Sequence, residues 1–294
     1  MTDDLTVMED RSVSRRAGGP TVALALGAGG ARGFAHIPVI EALDEMGITP
    51  VAIAGSSIGA IIGSGLAAGM TGREIRDYTL ETVGKRSNVA NRLWSLGPAT
   101  MRDALGGFRL GQFNLERILR AFLPDVLPDD FSGLKIPFKV IATDYYGQKE
   151  VVCEDGELYE ALAASAAIPA LFMPVHRGGR LMVDGGIFNP VPYDHLAGIA
   201  DIVIAVDVIG GPGGDISQVP NRLDSLFGAT QLMMQANLGL KRKLTPPDIF
   251  VRPEVNSFRI LDFLKARHII ESSDSLKDDL KRSIEARIEA ELRR

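Results

Sequence analysis

Twice between residues 21 and 68 the chain runs a short apolar stretch into a glycine-bearing turn and then into an apolar helix. Val22, Ala23, Leu24 and Ala25 lie between Pro20 and Gly27 and read as a fully buried strand. A glycine-rich loop fills residues 27–33. Phe34, Ile37, Ile40, Leu43 and Met46 then recur at helical steps, and Gly47 stands at the C-cap. Pro38 fits such a helix only in its first turn, where its missing N–H is not needed. Residues 51–54 read as a second buried strand and residues 58–68 as the helix after it. Strand, helix, strand, helix in this order implies a mostly parallel sheet covered on both faces.

The same pattern disposes of a membrane span. No charged residue occurs from Gly47 to Gly72, a stretch long enough to cross a bilayer. Its glycines, with Pro50, Ser56, Ser57 and Ser64, are better explained by a strand, a tight turn and a buried helix. Further along, residues 136–143, 181–183 and 202–208 read as buried strands, and 157–167 as an alanine-rich helix. Residues 73–130 read as more polar and helical, with Leu115, Ile118, Leu119 and Phe122 forming a stripe.

The domain layout expected is a mobile tail over 1–19, a catalytic domain over 20–210, and a C-terminal helical extension over 211–294 packed on the same domain. The first 19 residues have no apolar run and end in Arg15-Arg16-Ala17-Gly18-Gly19, which excludes a secretory leader in this stretch. Beyond the glycine loop at 210–214, Leu223, Leu226, Phe227, Met233, Met234 and Leu238 mark one helix, rich in large flexible side chains that could flank an apolar pocket or touch a bilayer. Leu276, Leu280, Ile284, Ile288 and Leu292 mark another, with a face packed on its own domain.

A net charge of −5 does not suggest nucleic-acid binding. The single cysteine, Cys153, excludes an internal disulfide framework and suits a reducing compartment, so a cytoplasmic chain is expected. Cys153 lies in a strand-like run and reads as a packed residue. No histidine or carboxylate cluster shows metal-ligand spacing, so no metal or other cofactor is expected.

Three turns carry chemistry. Gly55-Ser56-Ser57-Ile58-Gly59 joins a buried strand to an apolar helix, a sharp turn that would lift the Ser57 hydroxyl above the sheet edge. Gly27-Ala28-Gly29-Gly30-Ala31-Arg32-Gly33 could offer free backbone N–H groups to an oxyanion. Its rival reading is a dinucleotide loop, but Arg32 occupies the third glycine position of that fingerprint. Asp184-Gly185-Gly186 closes a strand. Alone it is an ordinary turn pair; beside a serine it could supply the base that a hydroxyl nucleophile needs.

Taken together, in this order, the three turns resemble the signatures of the patatin-like phospholipases, the bacterial branch in particular. Phe34-Ala35-His36-Ile37 and the run from Ala164 to Pro169 before Phe172-Met173-Pro174 add to the likeness, which covers roughly residues 20–210. Ala28 and Pro38 depart from it, standing where many members have glycine.

The resemblance implies a patatin-like three-layer α/β/α sandwich and a serine acyl hydrolase of lipid degradation. Its substrates would be lipid carboxyl esters, phospholipid or lysophospholipid. Ser57 and Asp184 would form a catalytic dyad without histidine, with Gly29 and Gly30 as oxyanion hole, Arg32 either orienting the loop or meeting an anionic head group as a substrate contact, and Ile58 toward the substrate. Peripheral contact with the inner membrane surface would follow from such a substrate. Two alternatives stand beside it: a catalytically silent scaffold or regulatory protein of the same fold, and a Ser-Asp-His esterase using His195. His36 reads as a packed histidine rather than a base.

Overall fold

The computed structural model describes residues 19–95, 115–213, 217 and 219–293. The expected tail over 1–19 therefore lies outside the described residues except for Gly19, as does Gly214 of the expected loop.

Eight strands build one mixed sheet. They are β1 (Val22–Leu26), β2 (Ala52–Ser56), β3 (Phe138–Asp144), β4 (Lys149–Cys153), β5 (Val175–Arg177), β6 (Arg180–Asp184), β7 (Ile202–Val206) and β8 (Ile249–Val251). Their order is β5-β6-β3-β2-β1-β7-β8, with β4 also on β3. The run β3-β2-β1-β7-β8 is parallel, whereas β4, β5 and β6 join antiparallel.

Alternation along β1 and β7 sorts the two faces. Val22, Leu24, Leu26, Ile202, Ile204 and Val206 point into the larger core. There they meet α1 (His36–Glu45), α2 (Ile58–Ala67), α8 (Ala266–Ser273) and α9 (Leu276–Leu292). The opposite face presents Ala23, Ala25, Ala52, Ala54 and Ala205. Such small side chains let a thin layer lie close: the segment from Val191 to Leu196, and α7 (Arg222–Leu244) through Leu238. Helical material thus covers both faces, giving three layers of the α/β/α kind. The remaining helices among the described residues are α3 (Gly72–Val83), α4 (Arg86–Ser95), α5 (Leu115–Phe122) and α6 (Leu158–Ser165). Pro38 sits in the first turn of α1, where no intrahelical N–H bond is lost.

The segment after residue 210 differs from the expected helical extension. It also supplies β8, which pairs parallel with β7 through Ile204 and Ile249, so it completes the sheet edge rather than only packing on it. Three residues are too few for a period-two signal to register. On α9, Leu280 and Ile284 are buried, and Arg76 bridges Glu41 and Asp274, tying α1 and α3 to the turn before α9.

One pairing matters most. β4 holds one flank of β3 from Val140 to Asp144. β2 and β6 must therefore share the other flank, where Ser56 lies opposite Ile141 and Asp184 opposite Ala142. The two strands run toward each other and end at neighbouring register positions. Residues far apart along the chain so meet tip to tip.

Candidate active site

At the tip of β2, Ser57 takes φ 54° and ψ −123°, a left-handed backbone that non-glycine residues rarely adopt and that costs on the order of 1–3 kcal/mol. Close packing holds it there. A Cβ on Gly55 would lie 2.6 Å from the Ala60 Cα, and one on Gly59 would lie 2.1 Å from the Leu26 carbonyl oxygen. Below the turn, the Ser57 N–H donates to the Ser165 hydroxyl at 2.9 Å, so α6 also helps to hold the elbow.

At the tip of β6, Asp184 is anchored by its backbone. Its N–H donates to the Ala167 carbonyl at 3.1 Å, and its carbonyl accepts from the Thr143 hydroxyl at 2.9 Å. A Cβ on Gly185 would meet the Ile141 carbonyl oxygen at 2.0 Å, so only glycine lets the chain turn here against β3. Asp184 Oδ1 accepts from the Gly186 N–H at 2.8 Å, and Oδ2 accepts from the Ser57 hydroxyl at 2.6 Å. Burial pushes this carboxyl up to about 6, and the bonds from Ser57 and Gly186 only partly oppose that shift. It is still mostly ionised at neutral pH, yet more basic than an exposed aspartate.

The glycine loop lies beside this pair. Ala28 and Ala31 spend their amides on the Pro190 and Ile260 carbonyls, each at 2.8 Å. Gly29 and Gly30 lie between those anchors, and both line the pocket that contains Ser57 and Asp184. Gly30 has φ +59°, and a Cβ there would meet the Ile260 carbonyl oxygen at 2.3 Å. The pocket, of about 220 Å³, is otherwise mostly apolar: Ile168, Ile260 and, from α7, Leu226, Phe227, Met233 and Met234.

Two expected substrate contacts are corrected. Arg32 is buried, and its guanidinium donates to the carbonyls of Ile209 (2.6 Å), Phe258 (2.7 Å) and Gly211 (3.3 Å). These bonds fit the loop-orienting role rather than the head-group one, and Arg32 does not line the pocket. The Ile58 side chain packs on Gly33, within 2.4 Å of where a Cβ would be, and lies in the core instead of lining the pocket. A β-branched residue just after an elbow fills whatever the neighbouring glycine leaves open.

The histidines fall elsewhere. His36 is fully buried, and its Nε2–H donates to the Gly27 carbonyl at 2.8 Å. Burial lowers its pKa to about 4, so it is a neutral packed ring. His195 lies in a short 3-10 turn, Tyr193–Leu196, and its Nε2–H donates to Glu150. That bond raises its pKa. Neither ring bonds Ser57 or Asp184.

Glu150, Asp194 and His195 form a cluster that sequence spacing did not reveal, with ligand-type atoms within 4.8 Å of one another. Lys241 already neutralises Asp194, and His195 already engages Glu150, which makes the cluster a set of paired charges. Sequence reasoning also missed Ser165 as a support of the elbow and Asp207 as a latch. Asp207, at the end of β7, is bonded by Arg252 (2.7 Å) and by Gln235 of α7 (3.4 Å). A carboxylate closing a buried strand was the available signal.

The patatin-like phospholipase model matches residues 24–197. An uncharacterised NTE family protein of Mycobacterium tuberculosis is 40% identical over 203 residues, covering 68% of this chain and 52% of that protein. Lysophospholipase NTE1 of Cryptococcus neoformans is 32% identical over 200 residues, covering 67% of this chain and 12% of that protein. The chain spans about half the length of the mycobacterial relative. VipD from Legionella pneumophila aligns with a TM-score of 0.46 at 16% identity, covering 90% of this chain and 67% of that one. By the family match over more than half its length, the chain belongs to the patatin-like phospholipase family.

Proposed function

We propose that this chain hydrolyses lipid carboxyl esters, phospholipid or lysophospholipid, through an acyl-enzyme on Ser57 with Asp184 as general base. The observation that carries the reading is the 2.6 Å bond from the Ser57 hydroxyl to a buried carboxylate of raised pKa. A serine hydroxyl is a weak nucleophile until such a base takes its proton.

The steps balance on these two side chains. Asp184 accepts the Ser57 proton as Oγ attacks the ester carbonyl carbon, and the oxyanion is met by the amides of Gly29 and Gly30. The carbon–oxygen bond to the alcohol breaks, and Asp184 returns the proton to the leaving oxygen. A water then gives a proton to Asp184 while its oxygen attacks the acyl carbon. The fatty acid leaves and Ser57 regains its hydrogen. The apolar pocket wall suits an acyl chain, and the name of the Cryptococcus relative points to the same substrate class.

A fluorophosphonate probe is expected to label the native chain at Ser57 and to leave Ser57→Ala unlabelled. Release of fatty acid from lysophospholipid should fall by about 10³-fold or more in that variant. Failure of the native chain to label at any pH would favour the silent scaffold. His195→Ala is expected to keep hydrolysis within about threefold, because its ring serves Glu150. A loss as deep as that of an Asp184 variant would instead reinstate the triad.

A further inference from the structure

Helix α7 carries a stripe that no other described residue covers fully. Leu223, Leu226, Thr230, Met233, Asn237, Leu240 and Leu244 follow alternating steps of three and four, so they share one face along the whole 23-residue helix. The five apolar members are 49–81% exposed, while the opposite face buries Gln231 and Leu238. No helix among the described residues is long and apolar enough to span a membrane.

Three further observations say what fits it. First, Leu226 and Met233 belong both to the stripe and to the wall of the pocket that contains Ser57. Second, Ile187 also lines that pocket and is 38% exposed, while the neighbouring Phe188, 41% exposed, is held against α7 by the Asn237 amide at 2.7 Å from its carbonyl. Apolar side chains from two segments thus rim one mouth. Third, α7 has four basic residues against one acidic, in a chain of net charge −5. Arg222 is exposed just before Leu223 and Lys243 just before Leu244, at the two ends of the stripe, whereas Arg242 stacks on the Phe250 ring on the opposite face. An apolar face with cations at its border is the composition of a helix that lies in a bilayer interface, attracted by anionic lipid. A second copy on the same stripe would seal the mouth; a leaflet would feed it.

We propose that α7 is an interfacial helix that seats the pocket mouth on an anionic bilayer, so that an acyl chain passes from leaflet to pocket with little exposure to water. The passage of substrate rests on the hydrolase reading above; the docking itself does not.

Vesicle flotation of the Ser57→Ala protein separates the two. Binding is expected to phosphatidylcholine vesicles enriched in phosphatidylglycerol, and to fall at least ~10-fold in the added double change Leu240→Glu/Leu244→Glu. Lys243→Glu should weaken it several-fold, as should raised salt. In the Ser57-bearing chain, the same double change should leave hydrolysis of a soluble short-chain ester within about twofold of native, with an unchanged thermal midpoint. Native-like vesicle binding by the double variant overturns the proposal. So does a dimer in sedimentation that the double change disperses, which would give the stripe to a second copy. A native chain that binds vesicles but cleaves no ester would uphold docking and sink the hydrolase reading; one that cleaves soluble ester but floats with no vesicle would do the reverse.

Discussion

Asp184→Asn is expected to lower ester hydrolysis by about 10³-fold or more while making the protein more stable at alkaline pH. Both effects come from the same burial. The carboxyl has a pKa of about 6 against an ordinary 3.8, so its ionised form is disfavoured in the folded chain. Between those values the folded state holds a proton that the unfolded state has lost. The cost is absent below about pH 4, grows through this window, and is complete above about pH 6. A shift of this size corresponds to roughly 2–3 kcal/mol, which the asparagine variant would recover at pH 8 and not at pH 4. Thermal denaturation of both proteins at the two pH values measures it. A gain of equal size at both would show that Asp184 is not the charge the fold holds at a loss. In the native chain, kcat/KM should fall about tenfold per pH unit below about 6, as the base is protonated.

Gly59→Ala should be among the most damaging single methyls near the site. In an open helix the change would stabilise by up to about 1 kcal/mol. Here the new carbon would lie 2.1 Å from the Leu26 carbonyl oxygen and 2.7 Å from that of Gly27, both backbone atoms of β1 and its turn. Backbone in a sheet centre cannot give way like a side-chain end, so α2 must move and carry Ser57 with it. A loss of about 3 kcal/mol or more and hydrolysis lowered by at least ~10²-fold are expected. Gly239, with nothing within 4 Å of its Cβ position, is the control: Gly239→Ala should be neutral or stabilising in the same melt. If both variants melt like the native chain, the elbow is looser than its contacts imply.

Reading the sequence located β1, β2, α1, α2 and β7 to within two or three residues, since each announces itself by a local apolar run bounded by glycine or proline or, for β7, by Asp201 and Asp207. It was weaker wherever partners decide the outcome. Arg32 reads equally as a loop-orienting arginine or as a cation for a head group until the carbonyls of Ile209, Gly211 and Phe258 are seen to hold it. Ile58 reads as a neighbour of the substrate until Gly33 is seen to have opened a core slot for it. His195 looks like a triad member by chain order alone, whereas Glu150 on β4 claims its ring. A side chain's type states which bonds it can make, and only the surrounding chain says which of them it has made.

By itself the sequence determined the family, the buried strands at the centre of the sheet, and the turns where glycine is required, because backbone freedom and apolar periodicity are local properties. Tertiary structure alone decided that β2 and β6 arrive tip to tip on one flank of β3, that β8 closes the sheet edge, and that one face of α7 stays exposed among the described residues. Those outcomes depend on which strand flank and which helix face other segments occupy. Such contacts join residues far apart along the chain, and no window of sequence contains both partners.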